Sequence, residues 1–133
     1  MTLILTGSPT RYGEPSFTRD NGFLNAVKRE LAEAMERRGT KAGPRVLLIS
    51  AAPDDLGFTE SVRKGMSQCI HRSGIRTKSI VMLDRRNQAD ARRLVDEADW
   101  VILCGGHTPT QNEFVHDIDL KDLLEGYEGL VMG

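Results

Sequence analysis

The sequence predicts a parallel α/β fold, and three observations carry that reading. Short apolar runs alternate along the chain with longer segments of helical period. The runs Val46-Leu47-Leu48-Ile49, Ile80-Val81-Met82-Leu83 and Trp100-Val101-Ile102-Leu103-Cys104 are nearly continuous in apolar residues. They lack the strict alternation of a half-solvated strand, so they predict a sheet covered by helices on both faces. No repeat, low-complexity stretch or linker interrupts the 133 residues, and one domain spanning 1–133 is expected.

Each element follows from local chemistry. Residues 3–6 read as a first strand that ends in the turn Gly7-Ser8-Pro9. The polar loop 10–19 is long for a connection from strand to helix, which makes it a candidate pocket edge, with Arg11, Tyr12 and Glu14 as candidate substrate contacts. Asp20 or Asn21 is placed to cap a helix on which Phe23, Leu24, Val27, Leu31, Ala34 and Met35 share one face. Gly39 supplies the left-handed residue at which that helix stops. Residues 46–49 form the second strand, followed by a loop around Pro53-Asp54-Asp55. The next helix carries Val62, Met66, Cys69 and Ile70 on one stripe and ends at Gly74. Residues 80–83 are the third strand. A helix follows with Ala91, Leu94, Val95 and Ala98 inward, and residues 100–104 are the fourth strand. Thr110 and Glu113 have the spacing of a capping box and predict a helix start at that point, with Phe114, Val115 and Ile118 as its apolar face. Leu123, Leu124 and Tyr127 lead into a last strand at 129–132.

Composition narrows the function classes. Eighteen basic and nineteen acidic residues leave a net charge of −1, so no electrostatic bias points to nucleic acid or an anionic membrane. The pairs Arg37-Arg38, Arg85-Arg86 and Arg92-Arg93 read as solvated helix ends or faces, because a basic stripe interleaved with aromatics is missing. Two cysteines, Cys69 and Cys104, are too few for a disulfide framework. Both are expected to be buried, reduced thiols. The opening Met1-Thr2-Leu3-Ile4-Leu5-Thr6 has no basic region and no long apolar core, and no run approaches the roughly 20 apolar residues of a membrane span. The cytoplasm is the expected location. His107, His116 and Asp119 do not form a metal-ligand spacing, and the turn Gly7-Ser8-Pro9-Thr10 lacks a dinucleotide fingerprint. No metal or organic cofactor is expected.

The chemistry points to Gly105-Gly106-His107-Thr108, which follows the fourth strand. Ligands of parallel sheets bind at the carboxyl ends of strands. Adjacent glycines there turn the backbone sharply and leave N–H groups open, and such groups can stabilise a developing oxyanion. A helix N-terminus directly behind them favours negative charge. Cys104, beside Leu103, reads as a small buried hydrophobe rather than a nucleophile. His71 reads as exposed near a helix end, and His116-Asp117 as part of a charged, solvated stretch. Gly129-Leu130-Val131-Met132-Gly133 is a strand entering a glycine, as at the start of a G-x-S-x-G nucleophile elbow.

The segment 101–108, continuing through Gln111-Asn112-Glu113-Phe114 and then Glu125-Gly126-Tyr127-Glu128-Gly129-Leu130-Val131-Met132-Gly133, resembles the peptidase E (α-aspartyl dipeptidase) family of the class I glutamine amidotransferase-like superfamily. That family typically has a G-G-[NDH]-T turn after the fourth strand and a G-x-S-A-G elbow downstream. The resemblance implies a flavodoxin-like or class I amidotransferase-like sheet, of which this chain is the N-terminal part. It also implies a serine-type peptidase acting on a peptide or small amide. Gly105 and Gly106 would form the oxyanion hole through their backbone, and His107, Thr108 and Gln111 would bind substrate. The nucleophile, its histidine and the acidic partner are expected beyond Gly133. His107 stands where the family more often has asparagine. Two alternatives remain open: a non-catalytic α/β binding module, and an amidotransferase-like domain with a cysteine nucleophile. A homodimer, or a second chain completing the sheet, is the expected form of partnership.

Overall fold

The structure, a computed structural model, describes residues 1–5 and 22–133. The turn at 7–9, the loop with Arg11, Tyr12 and Glu14, and the proposed caps Asp20 and Asn21 lie outside the described residues. In chain order the elements are β1 (Thr2–Ile4), α1 (Phe23–Arg38), β2 (Arg45–Ile49), α2 (Leu56–Arg72), β3 (Ser79–Leu83), a 3₁₀ turn (Gln88–Asp90), α3 (Ala91–Glu97), β4 (Trp100–Leu103), α4 (Thr108–Asp117), α5 (Leu120–Leu123) and β5 (Leu130–Met132). The five strands form one sheet in the order β1-β5-β4-β2-β3, and every neighbouring pair is parallel. This is the doubly wound, flavodoxin-like class of α/β architecture. Among the described residues no helix is long and apolar enough to cross a membrane.

Strand alternation sorts the core into two layers. Val46, Leu48, Trp100, Ile102, Leu130 and Met132 face α1 and α2, meeting Leu24, Val27, Leu31 and Ala34 of α1 and Cys69 and Ile70 of α2. Leu47, Ile49, Val101 and Val131 face the other way, onto Ala91 and Val95 of α3, Phe114 of α4 and Leu120 and Leu123 of α5. Both sides of β2, β4 and β5 are therefore apolar, which is why these strands read as unbroken hydrophobic runs. Full burial of each such side chain contributes about 1.5–3 kcal/mol. The expected stop of α1 is present: Gly39 has φ 70°, and its N–H is shared between the carbonyls of Glu36 and Met35.

The last strand is not an edge. β5 lies between β4 and β1, and the Gly133 N–H donates to Ile4 O at 3.0 Å. Among the described residues the edge strands are β1 and β3. Leu3 and Leu5, 52% and 77% exposed, mark the β1 side as the apolar edge.

In two of the three arginine pairs one member, Arg38 or Arg85, is a partly buried clamp between elements, while Arg37 and Arg86 are exposed, as read from sequence. Arg38, in the last turn of α1, donates from Nε to Asp99 Oδ1 at 2.9 Å and from Nη2 to Asp96 O at 2.5 Å. Its neighbour Arg37 reaches Glu128 O. Arg85 joins Asp54 of the β2–α2 loop at 3.4 Å to Asp117 of α4 at 2.7 Å, lying over the Phe114 ring. Arg86 pairs with the buried Asp84 at 2.7 Å. Arg92 and Arg93 keep to the surface, with partners three or four residues away, as read from sequence.

Asp99 is the hub at the amino ends of the strands. It is fully buried. Its carboxylate accepts Arg38 Nε, the Thr40 hydroxyl at 2.6 Å and the Arg45 N–H at 2.9 Å. Its own N–H donates to Arg45 O, and its carbonyl accepts the Leu130 N–H. Beside it the Tyr127 hydroxyl donates to Ala98 O at 2.7 Å. Burial holds that hydroxyl protonated well above its ordinary range. Gly129 is required at this point, because a Cβ there would strike the Tyr127 hydroxyl and stand 2.7 Å from Asp99 O. Replacing Asp99 with alanine strands a half-buried arginine, a hydroxyl and an amide together. The expected loss is about 3–5 kcal/mol in urea unfolding, and a loss below about 1 kcal/mol would show that the hub does not hold the fold.

Candidate functional site

The strand order defines where a ligand site belongs. From β2 the chain moves outward to β3, and from β4 it moves the opposite way to β5. The crevice between the carboxyl ends of β2 and β4 is therefore the topological switch point, where open α/β sheets bind ligands. The Gly105-Gly106 turn leaves β4 at that place.

The turn is held by both neighbours. Cys104 N–H continues the sheet by donating to Ile49 O at 3.0 Å, and the Gln111 side-chain amide donates to Cys104 O at 2.6 Å. Gly106 then passes so close to the segment after β2 that a Cβ on it would sit 2.7 Å from Ala51 Cβ. Glycine is needed at Gly106 for this close approach, whereas a Cβ at Gly105 would meet nothing within 4 Å. Both glycines are exposed. Among the described residues no acceptor takes the N–H of Gly105 or Gly106, so two backbone donors at the switch point remain available to a ligand.

The helix behind the turn starts earlier than the sequence indicates. The capping-box spacing put its start at Thr110, but α4 begins at Thr108 with His107 as N-cap. His107 Nδ1 accepts the Thr110 N–H at 3.4 Å and lies 2.7 Å from Thr110 Oγ1. Pro109 fits the first turn because it has no N–H to satisfy and its φ is already helical. Thr110 thus serves as the third helical residue rather than the cap.

On the β2 side, Ser50 and Thr59 are buried and mutually bonded at 2.9 Å. The Thr59 hydroxyl donates to Ala52 O at 2.8 Å, so the proton between the two hydroxyls is that of Ser50. Ser50 Oγ in turn accepts the Ala52 N–H at 3.0 Å. Both hydroxyls are committed to shaping the loop that carries Ala51, and neither is placed as a nucleophile. Burial pushes the Cys104 thiol up to about 12 and the Cys69 thiol up to about 11. Both cysteines are free and buried, so neither is a thiolate at neutral pH.

Gly105, Gly106, His107, Thr108 and Gln111 are all brought together in this one turn and its helix. Gln111 grips the strand-end carbonyl of Cys104, so its amide nitrogen builds the turn. His116 and His71 lie apart from it: His71 Nε2 pairs with Thr77 Oγ1 at 3.3 Å, and His116 is in the last turn of α4. Asp117 is exposed, as read from sequence, and pairs with Arg85. Among the described residues no group of three or more His, Cys, Asp or Glu side chains is arranged to hold a metal ion. Gly133 stands beside Leu103, the last residue of β4, with its Cβ position 3.6 Å from Leu103 Cδ1.

Sequence reasoning missed Ala51, the surface that Gly106 packs on, and the buried Asp84 at the end of β3. Asp84 N–H donates to Asn87 Oδ1, and Asn87 Nδ2 donates to Met82 O. The available signal was Asp84 followed three residues later by Asn87, a side-chain-stabilised turn. The class defined by this geometry is a doubly wound α/β protein with an open pair of backbone donors at its switch point. No family model matches the chain, and no curated protein or solved structure matches it.

The packing of Gly106 on Ala51 gives a direct test. Gly106→Ala is expected to cost about 1–3 kcal/mol through overpacking, and Ala51→Gly in the same chain should recover most of it. Gly105→Ala should stay within about 0.5 kcal/mol of the native protein. Unfolding midpoints of the native protein and these three variants decide the point, and an absence of rescue by Ala51→Gly would contradict this contact.

Proposed function

We propose that this chain contributes the oxyanion side of a serine-type peptidase site of the peptidase E kind, acting on a peptide or small amide. The observation that carries the proposal is the pair of open N–H groups at Gly105 and Gly106, at the switch point of a parallel sheet. Such donors, aimed where negative charge develops, are worth about 10²–10³-fold in rate for each one removed. His107 and Thr108, exposed on the same turn, are the proposed substrate contacts. Gln111 supports the site by fixing Cys104 O.

In this reading Gly133 is the first glycine of a G-x-S-A-G elbow, and the serine two positions further along the reading frame is the nucleophile. β5 neighbours β4 in parallel register, Ile102 opposite Met132, and adjacent strands lie about 4.8 Å apart. A residue leaving the end of β5 therefore emerges beside the glycine turn. The serine attacks the acyl carbon, its proton passes to a histidine, and the oxyanion rests on the Gly105-Gly106 amides with the N–H following the serine. Cys104 takes no part, because burial keeps its thiol protonated.

The test is to read the codons following Gly133 and assay the product of the full frame on dipeptides and small amides. The expected result is a serine two residues on, labelling by a serine-directed phosphonate, and loss of turnover when that serine becomes alanine. A cysteine at that position, labelled by iodoacetamide, would move the assignment to an amidotransferase-type enzyme. Neither residue there would overturn the mechanism and leave a binding module.

A further inference from the structure

We propose that His107 is a proton-operated latch on α4, capping the helix when neutral and releasing its first turn when protonated. The inference is independent of the peptidase reading and follows from which atoms donate.

A backbone N–H can only donate. Since His107 Nδ1 accepts the Thr110 N–H, that nitrogen carries a lone pair, and the proton of the neutral ring is on Nε2. The Thr110 hydroxyl, 2.7 Å away, donates to the same nitrogen. Protonation places a hydrogen on Nδ1. The hydroxyl contact survives by reversing direction, with Nδ1–H donating to Oγ1. The amide contact cannot reverse, so the Thr110 N–H is left facing another N–H. The new positive charge also sits at the positive end of a ten-residue helix. Both effects act against the cap.

The consequence reaches the glycine turn through two bonds. His107 O accepts the Gln111 N–H at 3.1 Å, and the Gln111 side chain holds Cys104 O. Fraying of the first turn of α4 frees Gln111, and with it the carbonyl immediately before Gly105. An asparagine at position 107 would cap equally well without titrating, which makes the histidine the source of the pH response.

Of the other titratable and charged groups around the latch, some are engaged elsewhere and the rest are exposed. On the β2–α2 loop that meets the turn, Asp54 pairs with Arg85 and Asp55 caps α2 through the Phe58 N–H. On α4, Asp117 pairs with Arg85, while Glu113 and His116 are exposed. Cys104, at the strand end, is buried and protonated. None of these groups bonds to the His107 ring among the described residues.

Histidine changes charge between about pH 8 and about pH 5, so amide hydrogen exchange at those two values tests the latch. Protection factors of the Thr110 and Gln111 amides in the native chain are compared with those of His107→Asn. The expected result is equal protection at the higher pH and about tenfold lower protection in the native chain at the lower pH, with His107→Asn unchanged. Equal protection in both proteins at both pH values would overturn the proposal, as would a loss that persists in His107→Asn. If His107→Asn does not fold, protection of Thr110 is referred to the Phe114 amide of the same helix in the native chain. A ratio that is constant across the two pH values then overturns it.

Discussion

The structure depends on one buried carboxylate. Asp99 accepts three hydrogen bonds from Arg38, Thr40 and the Arg45 N–H, and its backbone pairs with β2 on one side and β5 on the other. Removing a carboxylate from water is costly unless its lone pairs are filled, and here the end of α1, the α1–β2 loop and the start of β2 fill them. The amino ends of β2, β4 and β5 are thereby tied to α1 at one locus. Because strands are stiff and in register, tying their amino ends also sets where their carboxyl ends emerge. Hub and candidate site stand at opposite ends of β4, one anchored and the other open.

At the open end the packing is unusually close for backbone on side chain. Gly106 lies against Ala51, whose loop is stiffened by the paired hydroxyls of Ser50 and Thr59. Arg85 ties the same loop to α4 through Asp54 and Asp117. The turn is thus braced from both sides while, among the described residues, its two amides meet no acceptor.

Much of this was legible in the sequence, and the exceptions have physical causes. Strands β2 and β4 were readable because both their faces are buried along residues 46–49 and 100–102. β3, at the sheet edge, was readable because its run 80–83 is apolar throughout, although only Met82 and Leu83 are buried. The end of α1 was readable because Gly39 takes a conformation that other residues resist. The short helix α5 was not, since four residues carry no helical period. The start of α4 was misplaced because a histidine ring did the capping that a hydroxyl usually does. Arg38 and Arg85 were read as solvated because their carboxylates, Asp99 and Asp117, lie 61 and 32 residues away. That β1 rather than β5 forms an edge is likewise a long-range fact, invisible to local pattern. The glycine turn was found from its residues alone, but its partner Ala51 was not, as nothing in an alanine announces a contact.

The central claim is that the amides of Gly105 and Gly106, which meet no acceptor among the described residues, are open donors on a braced turn. Residue-resolved hydrogen exchange on the native protein measures this directly. The account predicts that both glycine amides exchange near the rate of an unprotected peptide while Cys104 N–H, bonded to Ile49 O, is strongly protected. Strong protection at Gly106 would mean that its N–H is already taken, and slow exchange at both glycines would contradict the account.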